Sequence, residues 1–375
     1  MKRIAQLESV PSPALLFDAD AIRRNLELML RIVGGDASKL RPHIKTHKCG
    51  EILELQHGLG IRRVKAATIA EAELSAQSGM TDVLISYPLV GPNVSRLFQL
   101  IDTYPDTQFS CLVDCEEALG AFVRTGREPV RRDPIHLFVD LDCGMHRTGI
   151  RPGPGVVALV RAIVANPALR FAGLHAYDGH IHDATIEARG AQFDAAMALV
   201  EETLAAIESE VGPVPLLVAG GSPTFGLHAA RCLSEPRPRQ CSPGTTVLWD
   251  CGYGSQYSDL PFEAAALLLT RVISHPGEGR ICVDLGHKAV APENPITRRV
   301  EFPAIPDAEF LSQSEEHLVL GVKDPSAWPV GMELLGIPKH VCPTVALHQE
   351  ARIVRDGAIT GEAWKIGARD RRITI

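Results

Sequence analysis

No stretch of this chain is apolar for long enough to cross a membrane. The run Ala264-Ala265-Ala266-Leu267-Leu268-Leu269 stops at Thr270-Arg271, far short of the roughly 20 residues a spanning helix needs. The start, Met1-Lys2-Arg3-Ile4-Ala5-Gln6-Leu7-Glu8, lacks the apolar core of a secretory signal. Positive charge is not in excess: the net charge is −7 and the isoelectric point is near 6.1, against the basic face that nucleic-acid binding needs. The nine cysteines are odd in number and show no framework spacing, which fits reduced thiols better than disulfides. Most are expected to be small buried hydrophobes. No internal repeat or low-complexity segment interrupts the chain. These absences predict a cytoplasmic protein with neither a membrane nor a nucleic-acid partner.

What is present is an ordinary globular balance, 45% hydrophobic and 22% charged over 375 residues, enough for one large domain and a smaller one. Short apolar runs at 40–45, 64–67, 83–86, 109–113, 136–140, 171–176, 216–219 and 246–249 read as strands. Helical patterns at about 50–58, 70–78, 93–102, 115–124, 156–164 and 186–209 separate most of them. Eight strands in ~250 residues predict an α/β fold, a (β/α)8 TIM-type barrel over residues 20–260. Beyond 262 the runs Arg280-Ile281-Cys282-Val283-Asp284, His317-Leu318-Val319-Leu320 and Val345-Ala346-Leu347 are short and β-like, between Pro- and Gly-bearing turns. They predict a C-terminal, mostly antiparallel β domain over 261–375. Residues 1–19 join it through the strand-like Ala14-Leu15-Leu16-Phe17.

Lys45 sits in Leu-Arg-Pro-His-Ile-Lys-Thr-His-Lys-Cys-Gly, residues 40–50. Pro42 favours extended backbone around it, and a helical pattern begins at Glu51. That puts the lysine near the end of a strand, where an α/β barrel keeps its chemistry and where a partly desolvated amine can form a Schiff base. The plain alternative is a basic surface loop with His43 and His47. Other signals fall at predicted strand ends: Arg147 after the fifth, Tyr177 after the sixth, Gly220-Gly221-Ser222 after the seventh and Tyr253 after the eighth. The glycine turn can offer N–H groups to a phosphate. A lysine, a phosphate cradle and an aromatic on one rim suit pyridoxal phosphate (PLP), although each alone is a common turn feature.

In Pro338-Lys339-His340-Val341-Cys342-Pro343-Thr344, an extended backbone would point His340 and Cys342 to one face. An imidazole and a thiolate so spaced suit zinc. A buried cysteine beside a hydrogen-bonded histidine is the plainer reading of the spacing.

The Pro-His-Ile-Lys-Thr-His-Lys run, the Ala-Tyr-x-Gly turn, the Gly-Gly turn and His-Val-Cys-Pro-Thr resemble, in order and over nearly the whole chain, the D-threonine aldolase and D-serine dehydratase family. These are metal-activated PLP enzymes on an alanine racemase-like barrel. The resemblance implies Lys45 as Schiff-base lysine, and Arg147, Tyr177, Gly220, Gly221, Ser222 and Tyr253 around PLP. It implies His340 and Cys342 as ligands of zinc or manganese, with magnesium a further candidate. It also implies a homodimer and a small D-3-hydroxy amino acid as substrate. The barrel motif Leu-His-Ala-Tyr-Asp-Gly looks like the aldolase branch, whereas His-x-Cys looks like the dehydratase branch. Asp183 aligns roughly where an aldolase would carry a histidine base, with His182 and then His180 as nearby candidates. The expected activity is therefore retro-aldol cleavage to glycine and an aldehyde. Deamination to a keto acid is the alternative, and a racemase or a non-catalytic PLP-binding protein are further ones.

Overall fold

A computed structural model describes residues 4–125 and 133–375. Along the chain run β1 (Ala14–Asp18), β2 (Arg63–Ala66), β3 (Asp82–Pro88), β4 (Gln108–Val113), β5 (Ile135–Leu141), β6 (Leu169–Ala176), β7 (Leu217–Ala219) and β8 (Arg239–Cys241). There follow β9 (Ala266–Ser274), β10 (Arg280–Val283), β11 (Val300–Glu301), β12 (Glu309–Gln313), β13 (Leu318–Gly321), β14 (Glu333–Pro338), β15 (Glu350–Arg355) and β16 (Ala358–Lys365). Two compact units form. One comprises Met29–Lys45, Leu53–Gly244 and Asp370–Ile375, and the other the chain up to Leu28, Thr46–Ile52 and Thr245–Arg369.

In the barrel unit β2 to β8 pair in sequence order, every pair parallel. Parallel neighbours need crossovers, and helices such as Ile69–Gln77, Pro92–Thr103, Pro154–Val164 and Ile186–Glu210 supply them. Val64, Val83, Ile85, Leu137, Val139 and Leu174 face outward into a continuous core with helix residues such as Leu97, Val160 and Leu204. Leu84, Leu112, Phe138 and Val218 face inward as a separate cluster. Strands buried on both faces explain the near-continuous apolar runs.

Residues 40–43 close the sheet: Leu40 bridges Cys241 of β8, and His43 bridges Lys65 of β2. The TIM-type barrel is thus present, with two corrections to its strands. The expected strand at 40–45 shrinks to these bridges, because Pro42 has no N–H for a ladder and Ile44–Thr46 coils into a 3₁₀ turn. The expected strand at 246–249 is also absent, since Thr245–Val247 is a 3₁₀ turn. The eighth position belongs to β8, whose Arg-Gln-Cys reads as loop. Its polarity is satisfied within the barrel: Arg41 Nε donates to Gln240 Oε1 at 2.7 Å, and the same guanidinium grips both Asp82 oxygens at 2.7 Å.

The second unit is a mostly antiparallel sheet in the order β12-β13-β10-β9-β1-β15-β16, with β14 paired to β9 and β11. The strand-like N-terminal segment lies in it as β1, antiparallel to β9 and parallel to β15. Leu16, Leu267, Leu269, Val354 and Ile359 pack as its apolar stripe. The β-like run 345–347 is instead the end of the helix Val341–Leu347. Pro343 falls in that helix's first turn, where a missing N–H has no intrahelical partner to lose. No helix among the described residues is long and apolar enough to cross a membrane.

Candidate active site

Lys45 emerges directly from the segment that closes the barrel. Its N–H donates to His43 Nδ1 at 3.3 Å, and His43 Nε2 lies 3.3 Å from Ser86 Oγ. Tyr177 follows β6, and three cations gather on its ring. Lys45 Nζ is 5.9 Å from the centroid, Lys65 Nζ 5.6 Å and Arg147 Cζ 5.1 Å, all within cation–π reach.

The Gly220-Gly221 turn follows β7. Gly220 has φ +87°, and a Cβ there would overlap the His228 ring, so the position admits glycine alone. His228 Nε2 lies 2.8 Å from the buried Asp178 Oδ2. Burial would raise the Asp178 carboxyl, but the His228 ring and the Thr224 hydroxyl hold it below the usual range. A Cβ on Gly221 would stand 3.2 Å from Tyr177 Cε2, so the turn lies on the ring that the cations surround. Ser222 Oγ accepts the Gly244 N–H at 3.1 Å, and the helix Phe225–Ser234 starts just beyond. Lys45, Arg147, Tyr177, Gly220, Gly221 and Ser222 all belong to the barrel unit. Tyr253 does not: it lies on the helix Cys251–Gln256 in the other unit, its ring 5.3 Å from those of Trp249 and Tyr257.

His180 and His182 lie in the loop after β6. His182 is exposed, with Nδ1 2.6 Å from the His180 carbonyl. A carbonyl only accepts, so Nδ1 carries the proton and Nε2 is the basic nitrogen. The His180 ring packs on Gly144, and its buried Nδ1 has no hydrogen-bond partner among the described residues.

In the second unit His340 is the extended N-cap of the helix Val341–Leu347 (φ −135°, ψ 103°). A strand was expected to align it with Cys342; a cap followed by one helical step brings the two together instead, hydrogen-bonded to each other. His340 Nδ1 lies 2.7 Å from Glu293 Oε1, and Cys342 Sγ lies 3.2 Å from Thr46 Oγ1. Burial opposes charge on the imidazole, yet Cys342 and Glu293 push it up to about 9. Asp250 fixes the turn, accepting the Val341 N–H at 3.0 Å and the Tyr253 N–H at 2.9 Å. Among the described residues no third His, Cys, Asp or Glu completes a metal cluster with this pair.

Sequence reading assigned no role to Lys65, His175 or Asp140. Val64 and Ala66 of β2 face the helices, so Lys65 between them points inward. Its Nζ is 3.2 Å from His175 Nε2, and His175 Nδ1 is 2.6 Å from Asp140 Oδ1. The one available signal was a lysine inside an apolar strand.

Comparison with known proteins matches residues 17–238 to the alanine racemase N-terminal domain and residues 265–354 to a putative serine dehydratase domain. A 3-hydroxy-D-aspartate aldolase of Paracoccus denitrificans (strain Pd 1222) is 29% identical, over 96% of this chain and 93% of that protein. A D-threo-3-hydroxyaspartate dehydratase of Delftia sp. (strain HT23) is 24% identical, over 96% and 98%. The crystal structure of D-threonine aldolase from Filomicrobium marinum superposes with TM-score 0.87 at 29% identity, covering 98% of each chain. The two domain matches together cover most of the sequence, and with these full-length relatives they show that the chain belongs to the D-threonine aldolase and D-serine dehydratase family, lyases built on the alanine racemase barrel.

Proposed function

We propose that the protein is a PLP- and divalent-metal-dependent lyase that cleaves Cα–Cβ of D-3-hydroxy amino acids, giving glycine and an aldehyde. The observation that carries this reading is the Tyr177 ring, on which the Lys45 amine, Arg147 and the Gly221 turn meet. These groups fit PLP. Lys45 offers the amine its aldehyde needs, Tyr177 a face for its ring, and Gly220, Gly221 and Ser222 a turn just ahead of the helix Phe225–Ser234, where a phosphate is favoured. PLP bound there supplies an electron sink for a bond at Cα.

His340 and Cys342 fit zinc, a borderline-soft divalent ion, better than the harder manganese. Glu293 on Nδ1 orients the imidazole and leaves Nε2 to donate. Such an ion supplies Lewis-acid activation of a β-hydroxyl. His182 is the base we assign to the hydroxyl proton, because the His180 carbonyl accepts from Nδ1–H and so makes Nε2 the accepting nitrogen of the neutral ring; His180 is second. The relatives at 29% identity are named as aldolases, which supports carbon–carbon cleavage. The thiol ligand Cys342 favours the second reading, a dehydratase in which Lys45 takes the Cα proton and the β-hydroxyl leaves.

Borohydride reduction of the purified protein followed by peptide mapping should put the pyridoxyl group on Lys45; finding it on Lys48 or Lys65 refutes the assignment. D-Threonine should then yield glycine and acetaldehyde, and His182→Ala should suppress both while cofactor absorbance persists. Formation of 2-oxobutyrate and ammonia would instead establish the dehydratase.

A further inference from the structure

The barrel lumen holds a directed chain of polar groups below Tyr177 that the proposed reaction does not use. Lys65, His175 and Asp140 are all buried. The Asp140 carboxylate can only accept, so His175 Nδ1 bears the proton and Nε2 bears the lone pair. Lys65 Nζ is therefore the donor across its 3.2 Å contact with His175 Nε2. Thr148 Oγ1 donates to the second Asp140 oxygen at 3.0 Å, tying the chain to the loop that carries Arg147. An amine buried in a barrel is costly when charged, and such a residue in an apolar strand calls for a reason.

We propose that Lys65, aligned by His175 and Asp140, is a positioning residue of the Lys45 site whose charge sets the electrostatic field at the Lys45 nitrogen. The inference rests on the PLP reading given above. Lys65 and Lys45 share the Tyr177 ring from 5.6 and 5.9 Å, and like charges in a desolvated lumen disfavour one another. The groups acting on Lys65 come from several elements: Lys45 beyond the closing segment and Arg147 after β5 oppose its charge, while Asp140 on β5 and Asp178 after β6 favour it. Burial, then Lys45, bring its amine down to about 7. His175 is lowered as well, by burial first and by Lys65 next, so it stays a neutral acceptor. A cation that turns on and off near neutrality beside a reactive lysine tunes that lysine as a neighbouring cation does in other amine-based catalysts.

The test is a pH titration of the visible absorbance of the holoenzyme, with its cofactor bound, in Lys65→Gln, Lys65→Arg and the unaltered protein. Lys65→Gln keeps a partner for His175 but removes the charge, so the midpoint should rise by about one pH unit. Lys65→Arg restores a permanent charge and should return the midpoint to the unaltered value or below. An unchanged midpoint in a folded Lys65→Gln overturns the inference while leaving the PLP reading intact. A purified protein without cofactor absorbance removes the PLP reading, and this inference with it. Should Lys65→Gln not fold, Lys65→Met is titrated in its place, with the same two outcomes.

Discussion

At the scale of the residue, burial decides what a histidine or lysine does, and burial is what a sequence shows least. Lys45 stood out as a candidate because proline, histidines and a following helix framed it; Lys65, in an unremarkable Arg-Val-Lys-Ala, did not, and only the inward pleat of β2 points it into the lumen. His340 and Cys342 were legible as a pair, although a helix cap rather than a strand joins them. His47 belongs with the surface loop in the plainest reading of residues 40–50, yet it is fully buried. Its Nδ1 accepts the Cys49 N–H at 3.2 Å, while Nε2 has no partner among the described residues. Burial, helped by the charge of Lys48, brings its pKa down to about 3. Because the unfolded imidazole titrates near 6.5, between those values the unfolded state binds a proton that the folded state refuses. Stability contributed at this site is thus complete above about 6.5 and falls as the pH drops toward 3. Thermal unfolding between pH 7 and 4 should show that decline in the unaltered protein, and His47→Leu should flatten it. An equally steep decline in the variant would assign acid sensitivity to other groups.

At the scale of the element, the six helical stretches read from the sequence and the strands with apolar runs matched closely, the strands because two-sided burial writes itself as continuous Val, Ile and Leu. The helices Ala19–Ile32 and Phe225–Ser234 were not among those six. The failures among the strands share one cause: tertiary partners can satisfy residues whose local preference points elsewhere. β8 contains Arg239 and Gln240, and it forms because Arg41 reaches Gln240 and Asp82. Val345 is β-branched, but it ends a helix that starts from the His340 cap and the Asp250 carboxylate. The Arg41 guanidinium is 1% exposed and its Asp82 partner 23%. Removing the carboxylate leaves a buried cation with one neutral acceptor, and breaking such a pair costs about 3 kcal/mol or more. Asp82→Ala should therefore lower the unfolding free energy read from urea titration by that much, whereas Asp307→Ala, which breaks the exposed pair with Lys323, should stay within about 0.5 kcal/mol. Equal effects of the two substitutions would mean that the barrel does not depend on the Arg41 clamp.

At the scale of the whole molecule, the proposed chemistry divides between the two compact units. Lys45, Tyr177 and the glycine turn belong to the barrel unit, and His340 and Cys342 to the other. The barrel was readable from eight regularly spaced segments even though one was misplaced and one is only a pair of bridges. The second unit was readable as β-rich but not in its strand order, because antiparallel pairing between distant segments leaves no periodic trace. The division makes a prediction that separates a metal-assisted lyase from a racemase on the same barrel. A two-ligand site with open positions should give up its ion to a chelator, and its affinity depends on both donors being deprotonated. EDTA treatment should therefore abolish cleavage of D-threonine while the visible absorbance of the bound cofactor stays unchanged. Zinc or manganese added back should restore turnover. Cys342→Ala should bind the metal weakly or not at all and respond poorly to add-back, because a lone imidazole makes a poor site. Racemisation that survives EDTA, with no aldehyde formed before or after, would remove the metal from the mechanism and leave His340 and Cys342 as a structural pair held by Glu293 and Thr46.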